Sequence, residues 1–245
     1  MHLPTQTITL SSGLSFDLVF VEGGNFSMGD NESEYKSEKP AHRIAVASFY
    51  IGQFPVTQRL WQAVMGNNPS RFQGEQRPVE RVSWDDVQVF IEKLNAETGK
   101  TFRLPTEVQW EYAARGGRYS QDYAYAGSDK LKQVGWYQEN SDDETHDVGL
   151  LLANELDIYD LSGNVWEWCE DDYHPNYAGA PKNGLAWIDT PRGEDRVLRG
   201  GGAFSLALDC RSANRYRFHP DYRDNDIGFR LVLPLQLTGK PDGFD

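Results

Sequence analysis

The side chains best suited to metal or nucleophilic chemistry in this 245-residue chain are two cysteines, Cys169 and Cys210, and five histidines, at 2, 42, 146, 174 and 219. The histidines are scattered, and no spacing among them makes a ligand motif. Two cysteines do not make a disulfide framework. They are expected to be buried thiols, with pairing left open. Glu80, Asp85 and Glu111 could imitate an acid–base pair, but carboxylates on helix faces are far more often solvated or salt-bridged. Nor does spacing assemble a Ser-His-Asp constellation. The glycine-bearing stretch "FVEGGNFSMGD" lacks the lysine and following helix of a phosphate loop.

A different kind of chemistry is written near the C-terminus. Residues 202–226 hold Tyr, Phe, His, Asp, Leu, Ala and Ser but no Lys, Glu, Gln, Met or Trp. Average usage would place about five of those missing types in a stretch this long. Tyrosine-rich surfaces suit recognition, because Tyr offers large contact area at low entropy cost. Within "NRYRFHPDYRDND", Arg215, Arg217 and Arg223, with Arg230 beyond, alternate with the aromatics as a framework would.

Composition narrows the partners. A formal net charge of −13 argues against nucleic acid or an anionic membrane surface. The seven arginines of 196–230 are offset by Asp209, Asp221, Asp224 and Asp226. No apolar run approaches the length of a membrane-spanning helix. The opening "MHLPTQTITLSSGLSFDLVF" lacks the charged and apolar regions of a signal peptide, so the chain as encoded is expected in the cytoplasm, with surface display by another route left open.

These residues must be positioned by a mixed scaffold. Residues 16–30 alternate around Gly23-Gly24 as a hairpin would, and 42–57 read as a strand entering a turn at Pro55. A short helix is expected from Thr57 to Gly66. A stronger one is capped by Ser83, carries Asp85 and Asp86 at its positive end, buries Val87, Phe90, Ile91 and Leu94, and stops at Gly99. A third has Thr106 as cap, Gln109 in the capping-box position and Gly116 as terminator. Arg103 is expected to bridge Glu107 or Glu111, with Trp110 in the core. Beyond residue 118 helical patterning vanishes, so the expectation is one α+β domain over 1–245 with much irregular backbone.

The segments "FPVTQRLWQAVMGNNPS", "PVERVSWDDVQVFIEKLNAETGKTFRLPTEVQWEYAARGG", "DLSGNVWEWCEDDY" and "RVLRGG…RSANR…IGFRLV" resemble, in this order, the formylglycine-generating-enzyme (sulfatase-modifying factor) family. The resemblance covers roughly residues 17–233. It implies a C-type lectin fold variant of the formylglycine-generating-enzyme type, loop-rich, with small antiparallel sheets and two main helices. Catalytic members of that family oxidise a substrate cysteine with copper held by two cysteines. The matching window here, "GAFSLALD" (202–209), contains none. Soft Cu(I) needs the pair, so no copper is expected. The family's iron-dependent oxygenases use a His-rich helical motif that is also missing.

Within the same fold, the C-terminal segment resembles the variable proteins of diversity-generating retroelements. Those systems randomise adenines of a template, and an AAC codon can then encode fifteen residue types but never Lys, Glu, Gln, Met or Trp. The resemblance implies a variable-region-like segment at 196–232, with ligand-binding positions Phe204, Ser205, Leu206, Leu208, Asp209, Tyr216, Phe218, His219, Tyr222, Asp224 and Asp226. Asp226 stands where the family frame has Asn before Ile227.

The resemblance also implies a structural calcium at "DLSGNVWEW", held by the Asp160 and Glu167 carboxylates and the Gly163 and Val165 carbonyls. The bland alternative there is a turn at 162–164 leading into a core strand. The expected function is therefore non-catalytic binding of a protein or cell-surface ligand through a diversified surface. A cysteine oxidase or divergent enzyme of the family is the alternative, and a partner domain in a larger complex is a third. Ligand identity and oligomeric state are not legible.

Overall fold

A computed structural model describes residues 4–235; the ends of the expected 1–245 span lie outside that range. The chain opens with β1 (Thr5–Thr9) and β2 (Ser15–Val21), followed by β3 (Gly24–Met28), β4 (His42–Val46) and β5 (Phe49–Gly52). Three helices come next: α1 (Gln58–Met65), α2 (Trp84–Thr98) and α3 (Glu107–Ala114). Irregular backbone then leads to β6 (Trp166–Asp172), β7 (Arg196–Arg199), β8 (Tyr216–Phe218), β9 (Ile227–Gly228) and β10 (Val232–Pro234).

The strands form two four-stranded sheets, in the orders β1-β2-β5-β10 and β8-β7-β6-β9, and a separate β3-β4 pair. The expected hairpin around Gly23-Gly24 does not form. β2 pairs with β1 and β5, whereas β3 pairs with β4. The turn between β2 and β3 passes so close to the Val46 carbonyl and the Ser48 N–H that Gly23 has no room for a Cβ. Alternation across those glycines thus marks a change of sheet.

All three helix starts are capped, Ser83 and Thr106 as expected and Thr57 in addition. The Thr57, Ser83 and Thr106 hydroxyls accept from Leu60, Asp86 and Gln109 N–H groups, and α2 and α3 have complete capping boxes. Each cap contributes about 1 kcal/mol by satisfying a backbone donor the helix cannot. Gly66 and Gly99 end α1 and α2 in the left-handed region, at φ 81° and 65°. Val87, Phe90, Ile91 and Leu94 are the buried face of α2. Phe90 stacks on Trp61 of α1 with ring centroids 5.2 Å apart, and Phe229 meets both rings edge-on.

α3 differs, because all eight of its residues are buried, Glu107 and Glu111 included. Charges inside a core need partners, and the partner is not Arg103, whose Nη1 donates to the Leu104 carbonyl instead. The guanidiniums that reach α3 come from Arg115 and from the C-terminal segment. No α-helix follows residue 114 among the described residues. The last strands tie the two sheets together. β9 lies parallel to β6 while β10, a few residues on, pairs with β5.

Candidate ligand-binding face

Four arginines fix the backbone of the C-terminal segment from below. Arg199, at the end of β7, donates to Glu107 at 2.8 Å, to Glu111 at 2.6 Å and to the Ser212 carbonyl at 2.6 Å. Arg215 chelates the Glu107 carboxylate at 2.5 and 2.8 Å and also holds the Ser37 and His174 carbonyls. Arg211 chelates Glu38 at 3.0 and 2.7 Å, and Arg230 chelates Glu167 at 2.6 and 2.7 Å. Burial opposes ionisation of Glu107 and Glu111. The neighbouring guanidiniums (Arg215 and Arg199 for Glu107, Arg115 and Arg199 for Glu111) outweigh it and hold both carboxyls below the usual range.

Between these anchors the expected binding positions face outward. Leu206, Leu208, Tyr216, His219 and Tyr222 are exposed, Phe204 is at the surface, and Asp209, Phe218 and Asp224 are half-buried. The frame residues between them, Cys210, Ser212, Ala213, Asn214 and Arg215, are buried. An edge strand, a 3-10 turn at Ala207–Cys210 and the loop 219–226 together achieve this segregation.

The aromatics form a continuous row. Trp166 contacts Tyr216 at 5.4 Å between centroids, Tyr216 meets Phe218 edge-on at 5.3 Å, and Phe218 stacks on Tyr222 at 3.9 Å. At the far end, Phe204 lies 6.0 Å from Phe72, over which the Arg71 guanidinium sits at 5.4 Å. Phe72 did not figure among the expected site residues; no local pattern announces it, because long-range packing brings it beside Phe204. Trp166 is a buried core residue on which the Tyr216 end of the row rests. The polar groups are held too: His219 Nδ1 is 2.6 Å from Asp221, and the Tyr222 hydroxyl donates to Asp224 at 3.0 Å.

Two expected positions are placed elsewhere. Ser205 is 8% exposed, and its hydroxyl accepts the Gly202 N–H at 2.9 Å, so it caps a turn. Asp226 is also 8% exposed and packs against Gly202. Two of the expected framework arginines work from the surface rather than the core. Arg223 chelates Asp86 at the start of α2 at 2.7 and 2.8 Å, and Arg217 lies 3.4 Å from Asp195.

The cysteines are free, buried and apart. Cys169 belongs to the cluster around Trp110 and Val197, and Cys210 packs with Leu131, Val134 and Tyr137. Burial pushes both thiols well above their ordinary value, away from the reactive thiolate. Gly201, at φ 75°, brings the chain so near Cys210 that a Cβ would lie 2.5 Å from its Sγ.

Of the residues expected to hold calcium, Asp160, Gly163 and Val165 lie in the turn before β6, where the Gly163 carbonyl accepts the Val165 N–H at 2.9 Å, and Glu167 lies in β6 itself. Asp160 is buried at φ 57°, and its carboxylate accepts only neutral donors, the Gly149 N–H at 2.8 Å and the Asn164 amide at 3.3 Å. Burial is the largest influence and raises it to about 6, against the Gly149 N–H, the Arg230 charge and the Asn164 amide, which all favour the ionised form. Glu167 already holds Arg230 and the Trp110 indole, and so brings lone pairs but little uncompensated charge. Among the described residues no group of three or more His, Cys, Asp or Glu side chains is placed to bind a metal.

Comparison with known proteins gives this architecture its family. The model for the sulfatase-modifying factor enzyme 1-like domain matches residues 12–235. "Chaperone protein LppX" of Paenibacillus barcinonensis is 34% identical over 89% of this chain and 90% of its own. The "Formylglycine-generating enzyme" of Streptomyces coelicolor is 34% identical over 90% of each. The solved structure of Treponema denticola variable protein 1 superposes with a TM-score of 0.86 at 30% identity, covering 94% of this chain and 99% of that one. An α+β core of small sheets, three capped helices, an arginine-anchored C-terminal segment and a family match across nearly all of its length make this chain a member of the sulfatase-modifying factor enzyme 1-like family, with the C-type lectin fold variant of formylglycine-generating enzymes and a likeness to variable proteins.

Proposed function

We propose that the chain is a non-catalytic ligand-binding protein that displays a diversified surface between Phe204 and Asp224. The observation that carries this reading is the segregation along the C-terminal segment. Residues of the restricted alphabet are mostly outward, and the frame residues between them are buried on Glu38, Glu107, Glu111 and Glu167. Exposed aromatic and aliphatic side chains clustered on one face favour a macromolecular partner, a protein or cell-surface component, over a small molecule. The likeness to a solved variable protein supports the same reading.

The deciding experiment is genetic. Sequencing past the stop codon should reveal a near-copy of the segment encoding 196–232, differing only at adenines and lying beside a reverse transcriptase gene. Absence of both would overturn the diversification. Binding itself is tested by replacing Tyr216, Phe218, His219 and Tyr222 with Ala, which should abolish capture of the ligand while folding persists.

The family also contains a protein named as a formylglycine-generating enzyme, and copper-dependent oxidation of a thiol peptide by this chain would replace the binding reading. A calcium ion held by Asp160, Gly163, Val165 and Glu167 would brace the loop before β6 and take no part in ligand contact. Asp160, buried and in no ion pair among the described residues, is the residue that supports it.

A further inference from the structure

A cleft of about 250 Å3 opens where β2, the turn from β5 into α1 and the backbone at 148 meet. Its walls are apolar side chains, those of Leu14, Phe16, Phe54, Val56, Leu60 and Val148. None of the residues 204–224 lines it, so it is separate from the outward face of the C-terminal segment.

Backbone bonds between distant segments build those walls. The Val56 N–H donates to the Phe229 carbonyl and the Gly52 N–H to the Leu231 carbonyl, each at 2.8 Å, and the Val148 N–H donates to the Gln76 carbonyl at 3.0 Å. Gly149, at φ 75°, lies so close to Phe54 that a Cβ would be 2.7 Å from the ring. That contact seats the 148–149 backbone on Phe54 and keeps Val148 in the wall. Leu14, Phe16, Phe54 and Val148 are half-buried, so the cleft presents apolar surface to water. A preformed site of this kind takes a ligand at little cost in ordering the protein.

The polar groups narrow the ligand. Arg59, in the first turn of α1, and Gln76 both line the cleft and are exposed, and neither side chain has a hydrogen-bond or ion-pair partner among the described residues. Asp17 is the carboxylate of the lining, and it already accepts the Thr7 hydroxyl at 2.6 Å. A guanidinium with its donors free takes a carboxylate through two parallel N–H bonds, and a primary amide can add a third. The cleft has room for roughly eight non-hydrogen atoms at about 30 Å3 each.

We propose that this cleft is a small-molecule site for a monocarboxylic acid with an apolar body of roughly eight carbons, the body against Leu60 and Phe54 and the carboxylate on Arg59 and Gln76. The inference stands apart from the display reading, since it uses no residue of the outward face.

The test uses the whole chain with octanoate at about pH 7, where the acid is ionised. The control is 1-heptanol, which keeps the same alkyl chain without the charge. Methyl NMR is followed up to about 10 mM of each. The Val56, Leu60 and Leu231 methyls should shift saturably with octanoate and more weakly with heptanol, while those of Leu206 and Leu208 stay still. Arg59→Gln should weaken octanoate by about three- to fivefold and leave heptanol unchanged. Val148→Trp, which fills the cleft, should abolish both. Should that variant fail to fold, Arg59→Gln, at an exposed position, still decides. Octanoate that does not saturate, that shifts the outward leucines instead, that binds no better than heptanol, or that is unaffected by Arg59→Gln would each overturn the proposal. None of these outcomes bears on whether the outward face is diversified.

Discussion

Arg215 and Glu107, 108 positions apart in the chain, form a two-pronged ion pair with the Arg215 side chain wholly buried and that of Glu107 4% exposed. It joins the middle of the C-terminal segment to the first turn of α3. Arg199 shares the same carboxylate and adds Glu111, so the segment and the helix are held by one buried network. Removing one partner leaves the other charged and unsolvated. Arg215→Ala or Glu107→Gln should each cost about 3–5 kcal/mol in urea denaturation, more than any substitution on the outward face.

The network also gives the protein a pH profile with two limbs. Glu107 and Glu111 have lowered values in the fold, so their stabilisation is complete above the unfolded carboxylate range and is lost as pH falls through the folded values. Asp171 behaves oppositely. Burial and the nearby Glu107 charge raise it from 3.8 to about 7, so stability is highest below the unfolded value and declines as pH rises through that window. Melting temperatures measured across this range should decline less steeply toward pH 7 in Asp171→Asn than in the wild type.

The outward positions should tolerate change. Leu206, Leu208, His219 and Tyr222 each replaced by Ala should alter stability by about 0.5 kcal/mol or less, because none fills the core. Ser205→Ala should cost about 1 kcal/mol, since it strands the Gly202 N–H. Chemical denaturation of the five variants would separate display positions from the one that builds the turn.

Calcium dependence is a direct test of the loop before β6. Added Ca2+ should raise the melting temperature over that in chelator, and Asp160→Asn should remove most of the difference. An unchanged wild-type melting curve would leave Asp160 as a buried carboxylate held by Gly149 and Asn164 alone.

The thiols offer a quick check of burial. Cys169 and Cys210 should be inert to a thiol reagent in the folded protein and react together on unfolding. Rapid native modification of Cys210 would show that the 202–210 turn opens.

Much of the scaffold is legible in the sequence because its signals are local. Thr57, Ser83 and Thr106 each announce a helix within four residues, and the buried stripe of α2 repeats at helical spacing. Sheet membership is not local. The alternation around Gly23 is satisfied equally by a hairpin and by a crossing between sheets, and only packing against Val46 and Ser48 decides. The same holds for charge. Glu107 reads as an ordinary helix carboxylate, and its partner Arg215 lies 108 residues away. The outward positions are partly legible through their residue types, yet Ser205 and Asp226 share that alphabet and are buried. Residue type alone does not set burial, which depends on the turn geometry around Gly202.

Anchoring a surface through arginines on buried glutamates, rather than through its own side chains, has a practical outcome. Backbone placement in the 204–224 stretch is set by Arg199, Arg211, Arg215 and Arg230, none of which a ligand would need to touch. A combinatorial library randomised at Leu206, Leu208, Tyr216, His219 and Tyr222 should therefore yield mostly folded clones, with selection acting on affinity and hardly at all on expression.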